Sequence, residues 1–400
     1  MYDLTDEKYH IEVAHFQYNH QDEKICGDVF ISKRIRDENR VLAVLSDGMG
    51  HGVKANVLAT LTATIALNLS QEHKNATTIA EIIMKALPVC SERNLSYATY
   101  TIVDAVIDDE IVNILEFENP QTIIMRGKYI YEPNREKVFL ENVSADKRDQ
   151  DLRACSFTPQ LEDRIIFYSD GIIQSGLGFG MTTGWGRNNL IEYVRSLIEA
   201  MPDISGSLLA EKIVKKASAN DLHSPKDDLT CCVFYYREPR RTMICTGPPF
   251  NMEQDGEFAQ KLQEFPGRKI ISGATTSEII SRELRRTITD EMIVDNSLPP
   301  SSKMEGVDLV TEGVLTLNKV IKLLESLKYP YLQLGKGPAD QLCQLLLDSD
   351  EIYILVGTKI NESHHDPTLP IEIEIRRTLI QRLQKVLWDK YMKVVKIEYM

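Results

Sequence analysis

Residues 46–52 read SDGMGHG. The apolar run VLAVL, residues 41–45, leads into them, and VKANVLATLTATIALNLS, residues 53–70, follows. Three glycines in five positions suit neither a helix nor a strand interior, since glycine loses the most backbone freedom on ordering. The pattern instead predicts an acid at the end of a buried strand, a stretch of bare backbone, and then a helix. Apolar positions recur every three to four residues through 53–70, with no proline to interrupt them.

The same device recurs. Aspartates stand beside glycine or another acid at the edge of apolar segments in Cys26-Gly27-Asp28, Ser46-Asp47-Gly48, Ser169-Asp170-Gly171 and Lys226-Asp227-Asp228-Leu229-Thr230. One such Asp-Gly is an ordinary turn. Two of these, VLAVLSDGM and RIIFYSDGI, are near-copies in which a strand runs directly into Ser-Asp-Gly. Carboxylates that converge repel one another and stay ionised together only beside cations. Oxygen-only ligands favour hard ions such as Mg²⁺ or Mn²⁺, and no Cys/His cluster points to zinc.

Around these acids, residues 1–240 alternate short β-rich segments with helices at 53–70, about 77–87, 187–200 and 206–219, an α+β layered pattern rather than a regular βαβ series. The segment REPRRTMICTGPPFNMEQDGE breaks that pattern with three prolines, which places a domain boundary near Arg237–Arg241. Residues 241–400 then read as a smaller α/β domain. Its segment KIISGATTSEIISRELRRTI is a strand, a glycine turn and a helix opened by a Thr275-x-x-Glu278 capping box. Backbone N–H groups at that turn suit an anion, although a well-capped helix explains the residues equally. His364-His365-Asp366 reads as a loop, and Lys336 lies outside any P-loop spacing.

The ordered set GD, SDGMGHG, YSDGI and KDDLT, spanning about residues 20–236, resembles the SpoIIE-type branch of the metal-dependent (PPM, type 2C) serine/threonine protein phosphatases. Asn119-Pro120 and Arg126-Gly127 are similar to a further family segment. The resemblance implies a β-sandwich of two antiparallel sheets flanked by helices, with two Mn²⁺ or Mg²⁺ ions at one end. On it, Asp47 bridges both ions, the Gly48 carbonyl is a further ligand, Asp28 reaches one ion directly or through water, Asp170 holds the opposite ion, and Asp227, followed by Asp228, completes the candidate metal ligands. Two such ions activate a shared water for in-line attack on phosphorus. His51 is a candidate proton donor to the leaving oxygen, or a brace for the loop. One departure is Gln174, where the family often carries an acid after the second Asp-Gly.

Composition narrows the partners. The chain has 43% hydrophobic and 26% charged residues, as folded proteins do. Net charge is −13, which argues against nucleic acid as a partner. No stretch reads as a membrane span or signal peptide, and seven scattered cysteines fit a reducing cytoplasm. The expected function is hydrolysis of phosphoserine or phosphothreonine on a regulatory protein such as an anti-sigma factor antagonist. Residues 241–400 would recognise a partner, sense a small ligand or form a homodimer. The alternatives are an inactive phosphatase-like scaffold and a small-molecule phosphohydrolase.

Overall fold

The structure, a computed structural model, describes residues 9–35, 37–86, 98–140, 151–291, 298–327, 334–359, 369–391 and 393–400. His364, His365 and Asp366 lie outside the described residues. The chain divides into two compact units, Met1–Glu238 and Pro239–Met400.

The first unit carries, in chain order, β1 (His10–Tyr18), β2 (Asp28–Ile35), β3 (Arg40–Gly48), α1 (Gly52–Gln71), α2 (Ala76–Ala86), β4 (Ala98–Val106) and β5 (Ile111–Phe117). It continues with β6 (Ile123–Arg126), β7 (Tyr129–Tyr131), β8 (Glu136–Lys137), β9 (Leu152–Phe157) and β10 (Asp163–Tyr168). It closes with α3 (Asp170–Gln174), α4 (Gly186–Ala200), α5 (Gly206–Asn220) and β11 (Leu229–Arg237). One sheet has the order β1-β11-β10-β6-β7 and the other β2-β3-β4-β5-β9-β8, and both are antiparallel.

The two sheets stack into a sandwich because their strands are apolar on both faces. Val41, Ala43 and Leu45 of β3 pack with Ile165 and Phe167 of β10 and Phe234 of β11 between the sheets. The alternate residues Leu42 and Val44 turn outward beneath Ala63 and Ala66 of α1 and Ile83 of α2. On the other sheet, Ile166 and Tyr168 turn outward beneath Leu190 of α4 and Leu209 and Ile213 of α5. A strand covered on both faces reads as an unbroken apolar run, which is why VLAVL does not alternate. Each such Leu or Val contributes roughly 1.5–3 kcal/mol by leaving water. The expected helix-flanked α+β sandwich is therefore the observed architecture.

One expectation needs correcting. Among the described helices, α1 is long and apolar enough by length and composition to cross a membrane. Alanines, threonines and a single charge, Lys54, make it so. In the fold, Ala55, Ala59, Ala63 and Ala66 are buried against the sheet.

The second unit carries β12 (Arg241–Thr246), α6 (Asp255–Glu264), β13 (Arg268–Ser272), α7 (Ala274–Leu284), β14 (Ile288–Asp290), β15 (Ser302–Met304) and β16 (Val307–Thr311). After these come α8 (Val314–Ser326), α9 (Pro338–Leu347), β17 (Glu351–Val356), α10 (Leu369–Tyr391) and β18 (Val394–Tyr399). Its sheet has the order β14-β15-β16-β13-β12-β17-β18, parallel from β16 to β18 with an antiparallel hairpin at one edge. RTMICT, just past the boundary near Arg237–Arg241, is an inner strand of the sheet between β13 and β17; the prolines that suggested a break, Pro239, Pro248 and Pro249, flank it. One reading of the sequence fails here. The Thr275-x-x-Glu278 box does not cap α7, since Gly273, at φ 128°, turns the chain and starts the helix one residue before Thr275 with no side-chain cap.

The turn after β3 depends on close packing. A Cβ on Gly48 would stand 2.1 Å from the Ala55 carbonyl oxygen of α1. Gly48→Ala should therefore push α1 off the sheet and cost about 1–3 kcal/mol, the usual penalty of overpacking, read as a lower midpoint in urea unfolding.

Candidate functional site

Antiparallel pairing sets the site. Asp28, the first residue of β2, lies in register with Asp47, next to last in β3. Asp170 opens α3 just past the end of β10, and Asp227 and Asp228 immediately precede β11, the partner of β10. The two sheets thus deliver their acids at the same end of the sandwich. Ser169 ties the second pair of strands together there: its N–H donates to the Thr230 carbonyl at 3.1 Å, and its hydroxyl accepts from the Thr230 N–H at 3.1 Å.

Each acid alters the others. Burial, then the neighbouring aspartates, pushes the Asp28 carboxyl up to about 7. Burial and then the charges of Asp28, Asp170 and Asp227 hold Asp47 well above the ordinary carboxylate range. Burial and Asp170 bring Asp227 to about 6, while burial raises Asp170. Asp47 and Asp170 share a hydrogen bond. Asp28 is 2% exposed, and neither of its oxygens has a hydrogen-bond partner of ordinary geometry, although the hydroxyls of Ser169 and Thr230 lie close enough to ease its charge.

A buried carboxylate without partners is costly unless a cation meets it. The donor set of Asp28, Asp47, Asp170 and Asp227 is all oxygen, which fits Mg²⁺ or Mn²⁺. Among the described residues, no group of three or more His, Cys, Asp and Glu side chains forms a ready-made metal cage. The acids stand as proton-sharing neighbours whose charge a cation would relieve.

Asp228 does a different job from its neighbour. Its Oδ1 accepts from the His20 N–H and its Oδ2 from the Gly27 N–H, both at 2.9 Å, so it clamps the 20–27 loop. Gly27 permits this approach, since a Cβ there would sit 2.7 Å from Asp228 Oδ2. The Gly48 backbone packs on Ala55 at the same loop. His51 caps the start of α1 and places its Nδ1 2.7 Å from Glu23 Oε1, with its ring stacked on His20 at 4.4 Å and 9°.

Asn119 and Arg126 bond residues other than these acids, although Thr99, a partner of Asn119, is in register with Asp47. The Asn119 side chain bonds the hydroxyls of Thr99 and Thr101, and Arg126 forks onto Asp163 through two contacts of 3.0 Å. Two residues at the site escaped the sequence reading. Glu23 and His20 gave no signal, because loop contacts have no period. Gln174 did: four residues past Asp170 on one helix face, its amide donates to Asp170 Oδ2 at 2.6 Å. The departure from an acid at 174 thus leaves a polar group that holds Asp170.

The sequence profile described as Stage II sporulation protein E (SpoIIE) matches residues 37–237, half of the chain. The chain belongs to the SpoIIE family. The matched span holds Asp47, Asp170, Asp227 and Asp228, with Asp28 just before it. Among solved structures, the chain is similar to the PP2C phosphatase domain with a fragment of the regulatory domain of SpoIIE from Bacillus subtilis. Identity is 16% over 57% of this chain and 64% of that one, with a TM-score of 0.47. It is also similar to RsbX in complex with magnesium (18% identity, 57% and 96% covered, TM-score 0.40). A third likeness is to the RsbU and RsbW domains of Rv1364c from Mycobacterium tuberculosis (16%, 64% and 67%, TM-score 0.44). The chain therefore spans less than two thirds of the first of these proteins. A search of curated proteins gives no match.

The raised acids set a pH dependence. A carboxyl whose folded value lies above its unfolded one stabilises the fold below the unfolded value, and that contribution is lost as pH rises through the folded value. With Asp28 moved from 3.8 to about 7 and Asp227 to about 6, metal-free protein should lose thermal stability between pH 5 and 8, by about 1 kcal/mol or more. Mn²⁺ should restore it, and Asp28→Asn should flatten the slope in metal-free buffer. Melting followed by circular dichroism, with and without chelator, checks all three.

Proposed function

We propose that the first unit is a Mn²⁺- or Mg²⁺-dependent phosphatase, acting in the cytoplasm on phosphoserine or phosphothreonine of a regulatory protein such as an anti-sigma factor antagonist. The observation that carries this is Asp28, buried and unpartnered opposite Asp47, in a chain of the SpoIIE family. An inert scaffold would have no reason to keep four mutually repelling acids at one rim, because their charge costs stability and returns nothing there.

Asp47, central to the cluster, would hold both ions, with Asp28, Asp170 and Asp227 completing the carboxylate set and the Gly48 carbonyl close by. When bound, such a pair of ions supplies an activated water and neutralises phosphoryl oxygens. The chain's other residues prepare that site. Gln174 orients the Asp170 carboxylate, and Asp228 fixes the loop that delivers Asp28.

His51 has the makings of a general acid for the leaving oxygen. Glu23 accepts from its Nδ1 side, which fixes the ring and leaves Nε2 for proton transfer. Stacking on His20 restrains the same ring. No serine or cysteine nucleophile is required, and among the described residues the cysteines of the first unit are suited to none: Cys26, Cys155, Cys231 and Cys232 are buried, and burial pushes their thiols up.

Turnover of a phosphoserine peptide with Mn²⁺ tests the proposal. Asp47→Asn should lower it by more than about 100-fold while circular dichroism shows an intact fold, the scale seen when a central electrostatic group is removed. Undiminished turnover in that variant would refute the assignment. His51→Gln should slow the phosphoserine peptide, whose leaving group is poor, by about 10-fold or more and leave p-nitrophenyl phosphate nearly unchanged. Equal loss on both substrates would make His51 a brace of the loop alone.

A further inference from the structure

The sheet of the second unit ends on β18, which has one neighbour among the described strands, β17. Its hydrogen bonds fix which backbone groups are left over. The Val394 N–H donates to the Asp350 carbonyl at 3.0 Å and the Met400 N–H to the Val356 carbonyl at 2.9 Å. The Met400 carbonyl accepts from the Thr358 N–H at 2.7 Å. Along a strand, alternate residues turn both groups to the same side. Val394, Lys396, Glu398 and Met400 therefore face β17, and Val395, Ile397 and Tyr399 turn their N–H and C=O groups to the outer edge. Such an edge is a template for a further strand. The opposite edge is blunted, for β14 has three residues and its neighbour β15 carries a register shift between Ser302 and Met304. β18 has six residues and no proline.

The strand VVKIEY, residues 394–399, is complementary to itself when two copies run antiparallel about Ile397. Ile397 then meets Ile397 of the second copy, and because its backbone groups point outward, the two exchange both hydrogen bonds. On one face Lys396 stands opposite Glu398 of the second copy, and Glu398 opposite Lys396. On the other face Val395 stands opposite Tyr399, an aromatic against a β-branched side chain. Moving the axis by one residue either way sets Lys396 against Lys396 or Glu398 against Glu398, which is destabilising. The charges thus select the register. Both are within reach: Glu398 is half exposed, with one oxygen 2.5 Å from the Lys261 ammonium, and Lys396 is half-buried, its ammonium 5.8 Å from the centre of the Tyr353 ring.

Aromatic side chains border the same edge. Gln384 of α10 donates to the outward Val395 carbonyl at 3.1 Å, which places that side of the helix beside the edge. That carbonyl keeps a second lone pair for a strand partner. Trp388 lies one turn further along the same side of α10 and is 40% exposed, and Tyr399 is 38% exposed. Large aromatics of this kind are what a second protein surface covers most profitably.

We infer that the chain forms a two-fold dimer in which β18 of one copy pairs antiparallel with β18 of a second, about Ile397, so that the two sheets run on as one. A two-fold interface uses the same patch on both copies, and a strand complementary to itself in charge and in backbone groups meets that requirement. The second unit is then a dimerisation module, whether or not the first unit is a phosphatase.

Sedimentation velocity of the full chain over a range of concentrations tests this. The unaltered chain should pass from monomer to dimer as concentration rises. Lys396→Glu and Glu398→Lys each turn two attractive pairs into repulsive ones, and each should weaken the dimer roughly tenfold or more. An equimolar mixture of the two variants should dimerise again, since every opposed pair is then Glu with Lys. Hydrogen exchange of the unaltered chain gives a second reading should either variant fold poorly: the amides of Ile397 and Tyr399 should exchange more slowly as concentration rises. A chain that stays monomeric at every concentration, or edge amides indifferent to concentration, overturns the inference. So do variants that dimerise as tightly as the unaltered chain, or a mixture that associates no more tightly than its components.

Discussion

Repulsion among carboxylates is the constraint around which the first unit is built. Opposing Asp28 and Asp47 across a pair of antiparallel strands sets like charges at the closest spacing a sheet offers, an arrangement that destabilises a sheet. Adding Asp170 and Asp227 from the second sheet makes it worse. The fold tolerates this because the strands behind the acids are anchored on both faces: β3 by the sandwich core and by α1, and β10 by the same core and by α4 and α5. Rigid backbone is what keeps the acids together, and their proton affinity is the visible result.

The polar groups nearest the acids share out the work. Asp228 neighbours Asp227 in sequence, yet its two oxygens are both occupied by backbone N–H groups. Adjacent residues at a strand entrance point in different directions, so one acid faces the cluster and the next pins a loop. Charge alone therefore does not distinguish a ligand from a brace. The surroundings of each do differ: Asp28 is buried with no hydrogen-bond partner of ordinary geometry, whereas Asp228 accepts two backbone N–H bonds.

Much of this was legible in the sequence because it is periodic or local. The helices of the first unit, its strands and the Ser-Asp-Gly pair follow from hydrophobic spacing and turn residues, and these fix which acids end which strands. The partners of His51 were not legible, since Glu23 and His20 reach it through a loop that only the tertiary fold brings close. β12 was hidden for another reason: a short strand buried in the middle of a sheet gives no alternation, and its proline flanks look like a linker. The start of α7 was misread because a threonine and glutamate at capping-box spacing matched a local rule, whereas Gly273 had already turned the chain.

The pairing of β1 with β11 has a consequence for how the protein is made. His10–Tyr18 runs alongside Leu229–Arg237 over its whole length, so one strand waits for a partner more than 200 residues downstream. Contacts that close such long loops form late and slowly. On the ribosome, the segment bearing Asp28 and Asp47 emerges well before the one bearing Asp227. A nascent chain therefore holds its acids apart until β11 is released, and the acid cluster is completed only once that strand pairs.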